Sequence, residues 1–94
     1  MNVRYRNQFK RDYKLMMKRG ADMEILDNVV KTLAVPLELA EIYRDHNLQG
    51  EYAGYKECHL APDWLLIYGY EQLDDDEHSQ QLMLVRTGTH SDLF

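Results

Sequence analysis

Apolar and polar residues alternate over Val3-Arg4-Tyr5-Arg6, which predicts a short opening strand with Val3 and Tyr5 turned inward. The period then lengthens. From about Gln8 to Arg19, Phe9, Tyr13, Met16 and Met17 recur at i, i+4, i+7 and i+8 and make one helical stripe. Asn7 is placed to cap that helix and Gly20 to end it. Asp22 suits the N-cap of a second helix, roughly Met23 to Leu33, on which Leu26, Val29, Val30 and Leu33 share a face, and Pro36 stops it. A very short turn joins the two helices, so they should form an antiparallel hairpin. Leu37 to Tyr43 fits either a helical turn or irregular structure.

In the second half the pattern is that of strands. Tyr52 to His59 reads as one, interrupted at Gly54 and followed by the breaker Pro62. Trp64-Leu65-Leu66-Ile67-Tyr68-Gly69-Tyr70 is apolar nearly throughout, which predicts a central strand covered on both faces. Glu71 to Ser79 is an acidic hairpin tip, and Gln80 to Thr87 is the last strand. The order β-α-α-β-β-β predicts an α+β fold: an N-terminal strand and a two-helix hairpin packed on a small, mainly antiparallel four-stranded sheet. Helices should coat one face of that sheet and leave the other for a site. The chain then leaves the sheet as Arg86-Thr87-Gly88-Thr89-His90-Ser91-Asp92-Leu93-Phe94, where Leu93 and Phe94 can anchor the end and hold His90 near the sheet.

Composition narrows the class. The 94 residues make one domain, 1–94, with no repeat and no Gly/Ser or Pro-rich linker. A chain this short buries roughly 60–65% of its unfolded surface. No apolar run approaches the ~20 residues of a membrane helix. The basic N-terminus lacks the apolar core of a signal peptide. The single cysteine suits a reducing cytosol, so a cytoplasmic protein without membrane attachment is expected. The net charge of −5 hides an asymmetry. Residues 1–20 hold seven Lys/Arg against Asp12 alone, and the remainder holds four Lys/Arg against fifteen Asp/Glu. Lys10, Arg11, Lys14 and Lys18, mostly off the apolar stripe, form either a solvated face or a surface that meets a polyanion.

Three of the four histidines sit near other candidate groups. Cys58 and His59 are adjacent but, as strand neighbours, point to opposite faces, so a thiol–imidazole dyad is excluded and Cys58 should be an inward, inert thiol. Glu57 and His59 share a face, and Asp63, across the short Leu60-Ala61-Pro62 connection, can come close to His59. His46 follows Asp45 in a loop. His78, in Asp74-Asp75-Asp76-Glu77-His78, belongs to the acidic tip. Together His46, His59, Asp63 and His90 suit either a metal site or metal-free acid–base work, although no H-x-H or H-x₃-H pair is present. Arg86 and Lys56 could hold an anion beside them, and a phosphodiester is the fitting target. These residues do not name the substrate.

Three stretches, in order and spacing, carry a resemblance. Tyr43-x-Asp45-His46-x-Leu48-Gln49-Gly50, Gly54-Tyr55-x-x-x-His59-x-x-Pro62-Asp63-Trp64-x-Leu66-Ile67-Tyr68 and Arg86-Thr87-Gly88-Thr89-His90-x-x-Leu93-Phe94 resemble the YafQ-type toxins of the RelE/ParE superfamily. Those are ribosome-dependent mRNA endoribonucleases of bacterial type II toxin–antitoxin pairs. The match is close over the second half of the chain and general over the first. It implies a RelE-like fold and cleavage of mRNA in the ribosomal A site. It carries the catalytic histidines and aspartate onto His46, His59, Asp63 and His90, the aromatic onto Phe94, and a basic, phosphate-facing residue onto Arg86. Glu57 falls where the family can have another acid. No cofactor or metal is implied. The implied partners are a cognate antitoxin, the ribosome and mRNA, with operator DNA reached only through the antitoxin. The longer acidic connection at Glu71 to Ser79 departs from the family, away from these motifs. Two rival readings are a ParE-like, non-nuclease toxin that binds gyrase and a metal-dependent hydrolase using the same His/Asp set.

Overall fold

A computed structural model describes residues 2–35, 46–72 and 80–94, with the backbone alone at His46, Asn47 and Glu51. Pro36, the 37–43 segment, Asp45 and residues 73–79 of the acidic tip, His78 among them, lie outside the described residues, whereas Glu71 and Gln72 of the expected tip continue a strand. The elements in order are β1 (Asn2–Tyr5), α1 (Asn7–Lys18), α2 (Met23–Ala34), β2 (His46–Asn47), a 3₁₀ turn (Gly50–Tyr52), β3 (Lys56–Ala61), β4 (Trp64–Gln72), β5 (Gln80–Gly88) and α3 (His90–Leu93). They form one sheet in the order β1-β5-β4-β3-β2. The β1–β5 pair is parallel and the other pairs are antiparallel. The α+β, mainly antiparallel fold is as expected, with the two-residue β2 added as a fifth strand at one edge.

The apolar run of β4 is the middle of this sheet, and Trp64 through Gly69 are all buried. One face meets the helices: Leu66, Tyr68, Leu82, Leu84, Cys58 and Leu60 pack with Phe9, Met16, Leu26, Val29 and Leu33. The opposite face carries a second cluster, Leu65, Ile67, Met83, Val85 and Leu93, against which Leu48, Tyr52 and Tyr55 pack. Among the described residues, that face is therefore roofed over part of its area by the 48–55 segment and α3, while Asp63, His90 and Phe94 stand exposed at the end where the strands finish.

Several boundaries differ from the sequence expectation, each for a local reason. Arg6, not Asn7, is the N-cap of α1, whereas Asp22 caps α2 as expected by accepting from the Glu24 amide. Gly20 takes φ +83°, the left-handed turn that ends α1. Met17 is exposed and Asp12 is buried, because the buried stripe runs Phe9, Asp12, Met16 and Met17 lies about 100° further round. Tyr5 faces the helices but is 48% exposed. The helix pair is splayed and leaves a cavity of about 520 Å³ lined by Tyr5, Phe9, Tyr13, Leu26 and Val30. The strand expected from Tyr52 begins only at Lys56, since residues 50–52 form the 3₁₀ turn and Gly54 turns the backbone at φ +92°. Gly88 extends β5 one residue beyond the expected Thr87, and the chain end is a helical turn, His90–Leu93.

Candidate active site

The end of the second face where the strands finish collects the candidate side chains through strand register. His46 pairs with Glu57, Glu57 with Ile67, and Ile67 with Arg86, so one cross-strand row runs His46-Glu57-Ile67-Arg86. The next row is His59-Leu65-Gly88. Alternation along β3 sends Cys58 and Leu60 to the helix side and Glu57 and His59 to this side. The Cys58–His59 dyad is thus absent as expected, and Cys58 is fully buried.

Two carboxylate–imidazole couples stand here. His59 Nε2 lies 3.2 Å from Glu57 Oε1, and the Glu57 side chain is 6% exposed. Asp63, in the β3–β4 turn, meets His90: Oδ1 accepts the His90 amide at 3.0 Å and lies 2.7 Å from its Nδ1. An ionised carboxylate only accepts, so this bond requires Nδ1–H and presents His90 through Nε2. Those contacts hold the Asp63 carboxyl below its ordinary range, the backbone amide of His90 contributing most. The His59 and His90 rings face each other edge-on at 5.9 Å. The sequence lets Asp63 come close to His59; its hydrogen bonds go to His90, whose ring stands beside that of His59.

α3 sets the His90 position. Thr89 caps it by accepting the Asp92 amide, and Asp92 returns the bond by accepting the Thr89 amide at 2.9 Å. Arg19, at the end of α1, reaches the same carboxylate at 2.6 Å. This hydrogen bond from Arg19, with that from the Thr89 amide, holds Asp92 well below the usual carboxylate range. A lowered value means that the stabilisation is complete above the unfolded carboxylate range near pH 4 and fades as the pH falls below it. Amide protection in α3 should therefore persist down to about pH 4 and decline below it, and Asp92→Asn should abolish that acid transition when followed by hydrogen exchange.

Arg86 is held at the other side of the site. Its Nε and Nη2 donate to Asp12 Oδ2 and Oδ1 at 2.8 and 3.1 Å. Asp12 Oδ2 also accepts the Thr87 amide at 3.2 Å, and Oδ1 accepts from Gln8 at 3.0 Å. The Thr87 hydroxyl in turn accepts from the Trp64 indole and donates to the Leu65 carbonyl. The hydrogen bond from Arg86 to Asp12, aided by a smaller one from Arg86 to Tyr52, raises the guanidinium above its already high range, so it stays charged at every working pH. Tyr52 stands edge-on to the Phe94 ring at 5.7 Å, and Phe94 is 65% exposed.

The remaining expected residues divide. Lys56 pairs with Tyr68, whose side chain is on the helix side, so Lys56 lies on the face away from His59 and does not join Arg86 as expected. The backbone of His46 is in the row with Glu57, but its side chain lies outside the described residues. Lys10, Arg11, Lys14 and Lys18 are all exposed on α1. Asp12 and Tyr52 were not singled out from the sequence. For Asp12 a signal existed: it is the one acid among residues 1–20 and falls three positions after Phe9 and four before Met16, on the apolar stripe. Among the described residues no three His, Cys, Asp or Glu side chains converge to hold a metal.

The family model described as "Bacterial toxin of type II toxin-antitoxin system, YafQ" matches residues 1–94. The mRNA interferase toxin YafQ of Escherichia coli K12 is 40% identical over 94 residues, 99% of this chain and 95% of that protein. The E. coli DinJ–YafQ complex superimposes with a TM-score of 0.81 at 40% identity, covering 99% of this chain and 97% of the other. A metal-bound toxin from Helicobacter pylori superimposes with a TM-score of 0.85 at 38% identity, covering 100% and 99%.

Proposed function

The chain belongs to the YafQ family of bacterial type II toxin–antitoxin toxins, and from that premise we propose that it is an mRNA interferase, cutting mRNA in the ribosomal A site and so stopping translation. The observation that carries this reading is the pair of carboxylate-held imidazoles, His59–Glu57 and His90–Asp63, facing each other at 5.9 Å on a face that also holds Arg86.

The chemistry proposed needs no protein-bound metal. A carboxylate at Glu57 accepts from His59 Nε2–H and leaves the lone pair of the neutral ring on Nδ1. His59 takes the proton of the RNA 2′-OH, and the 2′-oxygen attacks the adjacent phosphorus. The P–O5′ bond breaks, and His90, oriented through Nδ1 by Asp63, gives a proton to the leaving 5′-oxygen. Asp63 thus acts through His90. Arg86 stabilises the charge on the phosphorane, His46 helps to position or polarise the phosphate, and Phe94 stacks on a base. Glu57 serves the reaction through His59.

The test is the chemistry of the new RNA ends, with mRNA-programmed ribosomes beside naked mRNA. Cuts that require the ribosome and leave a 2′,3′-cyclic phosphate, or its 3′-phosphate product, with a 5′-OH are expected. A 3′-OH with a 5′-phosphate would indicate activated water and overturn the route. That is the rival given weight by the metal bound to the H. pylori relative. No cutting by folded protein would bring forward a gyrase-binding toxin of the ParE type.

In the same reading Lys10, Arg11, Lys14 and Lys18 bind ribosomal RNA through its phosphates. Each lysine–phosphate or arginine–phosphate pair removed should reduce the salt slope of ribosome binding by about 1. Neutralising all four should therefore flatten it visibly, and an unchanged slope would return α1 to a solvated face. A cognate antitoxin is the expected inhibitor, as DinJ forms a complex with E. coli YafQ, with operator DNA contacted through the antitoxin. Action on ribosomes is cytoplasmic work, and no described helix is long and apolar enough to cross a membrane.

A further inference from the structure

We infer that Asp12, on the first helix and 74 residues before Arg86, is the positioning residue that aims the Arg86 guanidinium at the scissile phosphate; this rests on the nuclease reading above. Asp12 is 6% exposed on a helix whose other charges are basic and outward. Its two oxygens grip Arg86 side-on, through Nε and Nη2, at 2.8 and 3.1 Å. The same Oδ2 takes the Thr87 amide at the β5 edge, and Gln8 donates to Oδ1. The carboxylate therefore cannot swing without breaking bonds to its own helix and to the strand that carries Arg86. Thr87 is tied in turn to Trp64 and Leu65 of β4.

A buried ion pair is a weak source of net stability, since an apolar pair of similar volume often does as well. What a side-on carboxylate supplies is geometry. An unheld arginine has a long, mobile stem, whereas this one has two of its five donors engaged on one edge, with Tyr52 as a further partner. The remaining donors are left in a set orientation for a phosphate. A pre-aimed cation costs no reorganisation when charge develops on the phosphorane. Misplacement by about 1 Å can cost about 10²-fold in rate.

Asp12→Asn is nearly isosteric and keeps an oxygen for the Thr87 amide. With mRNA-programmed ribosomes its turnover should fall about 10- to 100-fold while the half-saturating ribosome concentration stays put. In an Arg86→Ala background the same change should cost nothing more, because its effect passes through Arg86. Independently of cleavage, the Arg86 Nε–H should exchange slowly with water in the wild type and quickly in Asp12→Asn. A folded Asp12→Asn variant that turns over at the wild-type rate would overturn the inference, as would a full additional loss on top of Arg86→Ala, the mark of a structural role. If Asp12→Asn does not fold, Gln8→Ala loosens the same carboxylate. It should slow cleavage about 5-fold, again only when Arg86 is present, and wild-type turnover by this variant would be equally damaging. A wild-type protein that cuts no mRNA on ribosomes would fell the nuclease reading and this inference with it. A cutting wild type with an indifferent Asp12→Asn fells the inference alone.

Discussion

Replacing His90 by Ala should lower cleavage of ribosome-bound mRNA by at least about 10²-fold and leave the fold standing. The imidazole is 53% exposed at the side chain and contributes to neither apolar cluster, so its loss opens no cavity. α3 itself is closed by Thr89 and Asp92 and tied to α1 through Arg19, and none of those bonds uses the His90 ring. What disappears is the group that donates the proton in the proposed reaction, a ring held by Asp63 at 2.7 Å. The measurement is single-turnover cleavage on programmed ribosomes, with thermal unfolding of both proteins as the control. A folded His90→Ala variant that cuts at the wild-type rate would remove His90 from the chemistry. Asp63→Asn should show a smaller loss in the same assay, because it disturbs the orientation of His90 and leaves the ring in place.

Arg86→Ala should be damaging twice over. In the proposed reaction Arg86 faces the charge that develops on phosphorus, and removing such a donor costs about 10²–10³-fold in turnover. The same change leaves the Asp12 carboxylate buried with only the Gln8 amide and the Thr87 N–H for company, among the described residues. Breaking a buried pair from one side costs about 3–5 kcal/mol. For a domain of this size that is a fall in Tm of well over 10 °C. The two losses are separable. Adding Asp12→Ala to Arg86→Ala removes the stranded charge, so unfolding by urea should show a recovery of stability with no recovery of cleavage. Stability unchanged in Arg86→Ala alone would mean that the carboxylate is relieved by water and that the pair is weaker than its geometry implies.

The elements with strong local patterning were legible in the chain. The α2 face of Leu26, Val29, Val30 and Leu33 is buried as the 3.6-residue period requires, with Asp22 as its cap. The nearly apolar, β-branched and aromatic run from Trp64 suits a central strand covered on both sides, and β4 is the centre of the sheet. Period-2 alternation separates Cys58 from His59 on sequence alone, because it depends only on backbone geometry. Patterning is less informative where neighbours in space are far apart in the chain. Hydropathy puts Met17 on the core stripe and passes over Asp12, whose spacing places it there, since hydropathy says nothing about a carboxylate whose partner lies 74 residues away. Charge groups Lys56 with Arg86, while strand register puts it on the other face.

The candidate site shows the same division. Residue type and position brought out His46, His59, Asp63, Arg86 and His90, because imidazoles, a guanidinium and a carboxylate in three short stretches are what phosphodiester chemistry uses, and the family resemblance added Phe94. Which carboxylate serves which imidazole was settled by the fold. Asp63 stands nearer His59 in sequence but bonds to His90, since the β3–β4 turn and the start of α3 meet at the end of the sheet. Periodicity is a property of successive residues and is written along the chain. Pairing across strands and the burial of Asp12 depend on register and helix placement, which exist only once the chain has closed on itself.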